Sequence, residues 1–408
     1  MSKQWGKGRA GGVSPLLVRF YGLSVVVGLT LGLTAPLTAV FAVQLGANAF
    51  LAAASVASLT VVVLVMDIFG TRYLPHLEPR RAITIGMSLW AIGSFGTAVA
   101  PTFEVMVAAR LVQGFGLAFH AGTAAQLAVK LTGPGRVGTG LGRFQAALSL
   151  GSAVAPLSGG AIAAIGSDQA GIRIAFAVCG VLALACAVIA WIVIPTTRSE
   201  HAPKFGWPRL PGMLRPKSLL ALWAGSTGQG IRGAIALTVL PLVAVDGFRF
   251  SSVVLGALLT VMYLVEVVNM TVGGAISDRR GRLPVIVVAA LAGVLGLAVV
   301  IVADMRDAPL LFLLAVVPLG LAGGTMLGTM PAALVDIGGT PEIGLSASRI
   351  ARDLGFSAYT VAIGGAITLW GVNSALWLCG ALYLAVALAM LVVGETRGGT
   401  AELRTAAA

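Results

Sequence analysis

One acidic residue lies deep within a long apolar run, where an unpaired charge is costly. Glu266 is about ten residues from the nearest loop, hence roughly 15 Å deep along a helix. Such a carboxyl group can bind and release a proton, because burial favours its neutral form and a nearby arginine its charged form. Arg232 lies about 21 Å from the same side, and its long side chain can bridge the difference. We predict that Glu266 is the principal protonation site and Arg232 its counter-charge; the alternative is a static ion pair.

Several side chains lie at helical spacing from these two residues and could contact a small molecule. Three of them are three or four residues from Glu266, one is three residues from Arg232, and one lies in a later apolar run. Flexible methionines and aromatic rings suit apolar, planar compounds, although they suit helix packing equally well. The residues predicted here to line a substrate cavity are Met262, Tyr263, Asn269, Gln229 and Tyr359.

A second polar face occurs earlier in the sequence. Arg110, Gln113, His120 and Thr123 recur at intervals that keep them near one side of a helix. An arginine inside a membrane costs at least about 2.5–3.5 kcal/mol, so Arg110 should contact a partner or a wet cavity. Alternatively, its side chain extends outward to the membrane surface. His120 can titrate near neutral pH or serve only in packing. We predict that Gln113 and His120 face the cavity.

The composition indicates which elements must position these side chains. Of 408 residues, 58% are hydrophobic and 10% charged, whereas soluble chains have about 45–50% and 25%. These fractions exclude a soluble enzyme, a disordered chain and a fibrous repeat. Strands of a membrane barrel would be shorter and would alternate, so we predict an all-α membrane protein. Its twelve apolar segments are 17–43, 48–69, 82–100, 104–129, 139–165, 172–194, 217–244, 252–276, 284–303, 309–335, 344–370 and 374–394.

The basic residues predict how these helices are oriented. The net charge is +12, from 27 Lys and Arg against 15 Asp and Glu residues. With the N-terminus in the cytoplasm, most cations fall on the cytoplasmic side, as the positive-inside rule requires. The exceptions are Arg173, Arg249 and Arg306 outside, and Arg110 and Arg232 within helices. We therefore expect a multi-pass protein of the inner (cytoplasmic) membrane with both termini cytoplasmic, and no nucleic-acid partner. Arg349 and Asp353, which open the eleventh segment, are predicted to pair at i,i+4.

The two halves of the chain have similar sequence patterns. A basic, proline-rich interruption predicts a six-helix bundle at 1–194, a cytoplasmic linker at 195–216 and a second six-helix bundle at 217–408. The run LGSAVAPLSGGAI in the fifth segment is similar to LGFSAYTVAIGGAI in the eleventh. Such a duplication indicates two pseudo-symmetric bundles that rock about a central site.

Three further patterns occur at the ends or in the middle of these segments, and the first of them, a loop motif, occurs in two copies. The copy after the eighth segment, here called the second loop motif, has the pattern G-x-x-x-D-R-x-G-R and consists of Gly274, Asp278, Arg279, Gly281 and Arg282. The first loop motif, a partial copy after the second segment, consists of Asp67, Gly70 and Arg72. The fourth segment contains R-x-x-Q-G-x-G, beginning at Arg110. The fifth-helix motif consists of Gly142, Gly151, Pro156, Gly159 and Gly160, with Ala155 where the pattern has another glycine.

These patterns resemble those of the major facilitator superfamily, specifically its drug:proton antiporter branch of twelve-helix multidrug efflux proteins, over essentially the whole chain. The resemblance implies that the loop motifs form cytoplasmic gating latches, that Arg110 takes part in proton transfer, and that the fifth-helix motif belongs to exporters. An aspartate at a helix end can form such a latch because it faces arginines and a neighbouring helix terminus. Glycines allow close helix packing, and the proline allows a bend. Val63 and Ile68 depart from the first loop motif, so the resemblance supports a latch less strongly there.

The function predicted from these features is proton-coupled antiport that exports small amphiphilic compounds by alternating access. An uptake symporter or facilitator for a small metabolite has the same fold and is the alternative, and a scaffold or sensor without transport is a third hypothesis. No P-loop pattern or catalytic constellation occurs, so we expect no ATP use, enzyme activity, cofactor or metal. The three cysteines lie in apolar runs, as small hydrophobes. The expected partners are the substrate, protons and the lipid bilayer, with the chain a monomer.

Overall fold

Helices account for the regular structure throughout the described part of the chain. The computed structural model describes residues 15–69, 77–132, 137–166, 168–196, 215–338 and 341–397, without a strand among them. This confirms the predicted all-α class. The helices are α1 (Pro15–Gln44), α2 (Ala49–Phe69), α3 (Pro79–Val99), α4 (Phe103–Thr132), α5 (Val137–Ala163), α6 (Asp168–Val193), α7 (Pro216–Gly247), α8 (Ser252–Arg280), α9 (Arg282–Met305), α10 (Pro309–Gly338), α11 (Pro341–Trp370) and α12 (Val372–Val393).

Two of these helices change geometry at a proline. α1 bends after Leu33 and resumes at Leu37, with Pro36 in the bend. α7 contains two π-helical turns, Ile235–Val239 and Val243–Gly247, on either side of Pro241. Proline has no backbone N–H and its ring collides with the preceding turn, so the helix widens or bends there.

Several helix boundaries follow from local chemistry. Pro79, Pro216 and Pro309 occupy first-turn positions, where the missing N–H costs nothing. The Ser251 hydroxyl accepts a hydrogen bond from the backbone N–H of Val254 and so caps α8. Gly281 separates α8 from α9 with φ of +103°, a backbone conformation that other residues rarely adopt.

The dimensions and composition of the helices suit a lipid environment. By these two criteria, eleven helices of the described segments could cross a membrane. α11 is the exception although it has 30 residues, because Arg349, Arg352 and Asp353 lower the hydropathy of its first half. Large apolar side chains such as Ile192 and Val268 are exposed at the helix surfaces. The chain is therefore a multi-pass membrane protein.

The two halves have the same helix pairing. In the first half α1 packs on α5 and α6, α3 on α4 and α6, and α2 on α4; the second half repeats these pairs with α7 to α12. The halves meet chiefly through α5 with α8 and α2 with α11, which the pseudo-symmetry exchanges. The two predicted six-helix bundles are thus observed, while most of the predicted linker, 197–214, lies outside the described residues.

Two ends of the helix assembly are distinguished by charge. The basic face holds Arg80, Arg282 and Arg349, and the opposite face holds Arg173 and Arg306. Both inter-bundle helix pairs run between these faces. Side chains on them can therefore link or separate the bundles at either end.

Candidate functional site

Arg232 of α7 and Glu266 of α8 form a buried ion pair within the second bundle. Arg232 Nε donates to Glu266 Oε1 over 2.9 Å, and Arg232 Nη2 donates to Oε2 over 2.5 Å. Only 4% of the Glu266 side chain is exposed. The two parallel bonds fix the guanidinium against the carboxylate, which is the strongest arrangement for such a pair. The contact expected from their depths in the sequence is present.

Apolar and aromatic side chains enclose this pair. The Tyr263 ring centroid is 5.7 Å from Arg232 Cζ, a cation–π contact. A small cavity beside the pair has room for about one water molecule. Its lining residues are Arg232, Ile235, Met262, Glu266, Leu319 and Tyr383. The carboxylate therefore has a local space in which a proton or water can approach it.

Helix α10 leaves room for the carboxylate because it has glycines opposite Glu266. A Cβ at Gly323 would overlap Glu266 Oε1, and a Cβ at Gly324 would overlap the backbone oxygen of the same residue. The sequence did not single out these glycines or Tyr383, because nothing in a one-dimensional pattern relates α10 and α12 to Glu266. Their roles are visible only once the helices are packed.

The other predicted cavity residues of the second bundle take part mainly in helix contacts. Asn269 Nδ2 donates to the Leu321 carbonyl over 2.6 Å and to Thr325 Oγ1 over 2.9 Å, so it faces α10. Tyr359 of α11 shares a 2.6 Å hydrogen bond with Thr227 of α7. Gln229 is buried in α7. The structure thus brings Met262 and Tyr263, but not Asn269 or Tyr359, to the ion pair.

The polar face of α4 forms a hydrogen-bond chain inside the first bundle. Arg110 Nη1 donates to Gln113 Oε1 over 2.7 Å, and Gln113 Nε2 donates to Ser94 Oγ of α3 over 2.8 Å. Arg110 is only 4% exposed, so the outward-extending alternative is wrong. Its Nε has no hydrogen-bond partner, and among the described ion pairs none includes Arg110.

Cys179 of α6 connects this series of hydrogen bonds to α1, a role that its sequence context did not reveal. Trp90 Nε1 donates to its sulfur over 3.4 Å, and Ser94 Oγ lies at 3.6 Å. The thiol in turn donates to the Thr30 carbonyl over 3.2 Å. The cysteine predicted to act as a small hydrophobe is therefore the polar centre of the first bundle.

His120 lies apart from the Arg110 chain, where α3 and α4 cross closely. It is 4% exposed, and neither ring nitrogen has a hydrogen-bond partner. A Cβ at Gly86 of α3 would lie 3.0 Å from the His120 backbone nitrogen. Buried polar groups normally have partners, so this imidazole is a candidate for binding a polar group that the chain itself does not supply.

The second loop motif is a brace within the second bundle. Arg282 forms ion pairs with Asp278 of α8 and, over 3.1 Å, with Asp336 of α10. Arg279 contributes its carbonyl oxygen, which accepts a 2.6 Å hydrogen bond from Arg397. A Cβ at Gly274 would meet no other atom within 4 Å. Among the described residues, the complete motif therefore ties α8, α9 and α10 together.

Glu395, just beyond α12, completes this brace by accepting hydrogen bonds from backbone N–H groups. Partial burial raises the pKa of Glu395, but the N–H groups of Arg397, Arg282, Leu283 and Thr396 outweigh that effect and hold the pKa below its ordinary value. A Cβ at Gly281 would overlap Glu395 Oε2. Gly281 is thus required by its backbone conformation and by the carboxylate beside it.

A residue of the partial first loop motif makes an ionic contact between the bundles. Asp67, at the end of α2, accepts hydrogen bonds of 2.9 and 3.2 Å from Arg349 Nη2 of α11. The predicted i,i+4 pair of Arg349 with Asp353 is wrong, because Asp353 instead pairs with the adjacent Arg352 over 2.8 Å. The other residues of the motif, Gly70 and Arg72, lie outside the described residues.

Glycines of the fifth-helix motif lie where other backbones pass closest to α5. Gly151 and Gly159 face the carbonyl oxygens of Val25 and Leu33 in α1, and Gly160 faces that of Ser252 in α8. At the same end of α8, the Leu157 N–H donates to Thr260 Oγ1 over 3.0 Å. The Pro156 carbonyl abuts Gly256. The motif thus packs α5 against its own bundle and against the other one near the opposite face. Gly142 lies near the start of α5, where the structure describes the backbone alone.

The one departure from this motif has a structural counterpart in α1. A Cβ at Gly32 would lie 2.7 Å from the Cβ of Ala155. The small residue required at this crossing is therefore present, but on the other helix. The close packing of α1 on α5 is kept because only one of the two positions carries a methyl group.

The family profile of the Major Facilitator Superfamily matches residues 20–359, most of the chain. The chain belongs to the Major Facilitator Superfamily. It is accordingly a superfamily transporter, as its motifs and paired bundles led us to expect. No curated protein sequence matches it significantly. The profile covers the superfamily as a whole and does not distinguish an antiporter branch.

Solved structures of superfamily transporters are similar to the chain over nearly its whole length. The nucleoside transporter NupG has a TM-score of 0.76 and 14% identity, with 93% of this chain and 99% of NupG covered. The partially occluded inward-open xylose transporter XylE from E. coli has a TM-score of 0.74 and 16% identity, with 94% of this chain and 99% of XylE covered. A D-xylose–proton symporter has a TM-score of 0.72 and 15% identity, with 94% of this chain and 98% of the symporter covered. At these identities the similarity shows a shared fold alone.

Proposed function

We propose that this transporter is a proton-coupled antiporter that exports small amphiphilic compounds by alternating access. The observation that carries the proposal is the bidentate Arg232–Glu266 pair, buried within the second bundle beside a space of about one water molecule. An intramembrane carboxylate is expensive to keep and is usually retained for function. It is the single carboxyl group that the sequence places deep within a span.

The pair is suited to exchange a proton because each of its two protonation states has compensating contacts. With Glu266 charged, Arg232 compensates it through two hydrogen bonds. With Glu266 protonated, the carboxyl group tolerates its apolar surroundings better, while Arg232 retains the Tyr263 ring as a cation–π partner. A small rearrangement within the second bundle that separates Arg232 from Glu266 would therefore shift the balance between the two states.

The assignment to export rests on the fifth-helix motif. Its Gly160 and Pro156 lie in the α5–α8 contact between the bundles near the opposite face. In the branch that the chain resembles, this pattern accompanies antiport. We further propose that the basic face is cytoplasmic, that both termini lie there, and that the transporter works as a monomer in the inner (cytoplasmic) membrane.

A second candidate function is proton-coupled uptake. It is favoured by the similarity to a structure described as a D-xylose–proton symporter. The same Arg232–Glu266 pair would then bind a proton that travels with the substrate. The two functions differ in the direction in which substrate moves relative to protons.

Inverted membrane vesicles with an acidified lumen test the proposal and separate the two functions. For an antiporter, compounds added outside should enter as protons leave, and so collapse the pH gradient. A symporter would not respond, because protons and substrate must then start on the same side. We expect Glu266→Gln to abolish the response and Asp304→Asn, a carboxylate change at the far end of α9, to retain it. Full gradient collapse by Glu266→Gln vesicles would rule out the proposed coupling site.

A further inference from the structure

An arginine and a tryptophan stack on each other at the basic face of the first bundle. Arg80 lies in the first turn of α3, and Trp191 lies in the last turn of α6. Arg80 Cζ is 4.0 Å from the centroid of the Trp191 ring, a close cation–π contact. The contact joins two helices that pack against each other, at the level where both reach the membrane surface. Tryptophan is enriched at that level in membrane proteins.

The charge of Arg80 is not balanced by a neighbouring carboxylate. No ion pair in the described part of the chain includes Arg80, and its Nε has no hydrogen-bond partner. Glu78, the acidic residue closest in sequence, instead pairs with Arg81 over 3.4 Å. The three residues together therefore carry one surplus positive charge, and it resides on the arginine that is fixed against the indole ring.

The position of this surplus charge is unfavourable for the helix that carries it. Arg80 and Arg81 lie in the first turn of α3, where unbonded N–H groups already give the helix end a partial positive charge. Cations at this end oppose the helix dipole, whereas an anion there is stabilised by it. An anion that binds Arg80 would therefore relieve an electrostatic cost within the chain.

A second arginine between the same two helices shows what a purely structural contact looks like. Arg173 of α6 lies at the opposite face, with its Cζ 5.2 Å from the centroid of the Phe41 ring. Its Nη1 donates to the Ala98 carbonyl at the end of α3 over 2.9 Å. Arg173 thus uses its donor to brace α3 against α6. Arg80 also packs on an aromatic ring, but its Nε has no such acceptor.

The surface that continues from Trp191 into the membrane is aliphatic. Leu184 and Val188 precede Trp191 by seven and three residues, so the three side chains share one face of α6, and all are exposed. We call this face the α6 stripe. Isoleucines spaced by seven residues, Ile85 and Ile92, are likewise exposed on α3. A soluble anion gains nothing from such a surface, whereas the acyl chains of a phospholipid can cover it.

We propose that Arg80 and Trp191 form a binding site for an anionic phospholipid of the leaflet at the basic face. The lipid phosphate accepts hydrogen bonds from the edge of the Arg80 guanidinium, and the acyl chains lie along the α6 stripe. Arginine suits this arrangement because its N–H groups lie in its plane, which leaves the face of the group free for the indole ring. The Glu78–Arg81 pair keeps the nearby carboxylate from repelling the phosphate.

The charge of the headgroup decides which phospholipids the site prefers. Phosphatidylglycerol has a net negative charge that neutralises Arg80. Phosphatidylcholine carries the same phosphate, but its choline cation is repelled by the arginines of the basic face. The site lies on the outer surface of one bundle, so the inference does not depend on the proposed direction of transport or on its coupling to protons.

Native mass spectrometry of the delipidated full chain tests the site. The protein is titrated with phosphatidylglycerol or with phosphatidylcholine of the same acyl chains, and the affinity for the first bound lipid is measured. We expect phosphatidylglycerol to bind more tightly. Arg80→Gln should weaken its binding by roughly fivefold, as one arginine near a membrane surface contributes, and should leave phosphatidylcholine unaffected. Elution as a monodisperse peak checks that each variant is folded.

Two matched variants separate a defined site from general surface charge. Trp191→Leu changes no charge, yet it should lower the affinity for phosphatidylglycerol about two- to threefold, because the guanidinium loses the ring that holds it. Arg306→Gln removes the same charge as Arg80→Gln, but at the opposite face, and should keep the wild-type affinity. Equal losses in Arg80→Gln and Arg306→Gln, or wild-type affinity in either Arg80→Gln or Trp191→Leu, would overturn the inference.

Inorganic phosphate distinguishes a lipid headgroup from a soluble anion as the occupant. In excess over the lipid it should leave phosphatidylglycerol binding to the wild-type protein unchanged, because it cannot contact the α6 stripe. Displacement of the lipid by inorganic phosphate would show that the site serves a soluble phosphate and would reject the assignment to a phospholipid. None of these measurements needs substrate or a proton gradient, so they leave the proposed function to its own test.

Discussion

Asp67 and Arg349 join the two bundles at the basic face through two hydrogen bonds of 2.9 and 3.2 Å. Asp278, which stands at the matching position in the second half, instead pairs with Arg282 of its own bundle and is 65% exposed. The pseudo-symmetry of the helices is therefore not matched by their charges. In the described part of the chain, the α2–α11 pair carries an ionic link at this face, and the complete motif connects helices of one bundle.

This asymmetry predicts different effects for two chemically identical substitutions. Asp67→Asn should loosen the start of α11, because Arg349 loses its counter-charge, whereas Asp278→Asn should not. Partly exposed ion pairs contribute up to about 1 kcal/mol, so amide hydrogen exchange around residues 345–352 should accelerate by up to roughly fivefold in Asp67→Asn. Mass spectrometry of that peptide measures the effect. Equal acceleration in both variants would show that the link is not specific to α2 and α11.

Gly323 predicts how little space the Arg232–Glu266 pair can lose. Gly323→Ala places a methyl group on Glu266 Oε1, so the carboxylate must move away from Arg232. Overpacking of this kind costs about 1–3 kcal/mol and should lower the Tm of the protein in detergent as well as its rate of transport. Gly274→Ala is the matched control in α8, because it has open space and should be neutral or stabilising by about 0.5–1 kcal/mol. A Gly323→Ala protein with wild-type Tm and flux would contradict this packing.

The crossing of α1 and α5 predicts a compensating double substitution. Gly32→Ala brings two Cβ atoms within 2.7 Å and should be destabilising by about 1–3 kcal/mol. Adding Ala155→Gly removes the second methyl group. Because glycine is about 1 kcal/mol less favourable than alanine in a helix, the double variant should regain only part of the lost Tm. The remaining neighbours of a Cβ at position 32 are Ser152 atoms at 3.2 and 3.4 Å, which need only small shifts. A double variant as unstable as the sum of the two single ones would contradict the contact.

Glu395 predicts a pH-dependent contribution to stability. Its pKa is below the ordinary value in the folded protein, so its stabilising effect is present above about pH 4.5 and is lost as the pH falls through the lowered pKa. Glu395→Ala should therefore lower the Tm near neutral pH by a few degrees, since four backbone N–H groups lose their acceptor. The difference between wild type and variant should shrink as the pH falls below the lowered pKa of Glu395. A difference that stays constant over this range would indicate a packing effect instead.

The sequence was informative where burial alone dictates pairing. Glu266 and Arg232 stand at similar depths in neighbouring spans, and an unpaired charge there is so costly that their contact could be predicted without coordinates. The all-helical class and the two matching halves followed from hydropathy in the same way. Arg110 likewise had to find a partner, and Gln113, one helical turn away, provides it.

The sequence was least informative where several partners of equal chemistry compete. Arg349 has Asp353 at i+4 on its own helix, yet the packing of α2 on α11 gives it Asp67 and leaves Asp353 to Arg352. Cys179 sits in an apolar run that gives no sign of the donors converging on it from α3. Such choices depend on distances between helices, which periodicity within one helix cannot supply.

By itself, the sequence determined that the chain forms apolar helices in two related sets, and which deep charges must be neutralised. These properties are set by the free energy of transferring each segment and each charge into the membrane, and that cost is local to the residue. The tertiary structure decided which charge neutralises which, where glycines admit a neighbouring helix, and that Asp67 contacts Arg349 of the other bundle. Those features depend on relative positions of helices that lie far apart in the chain, and they exist only after packing.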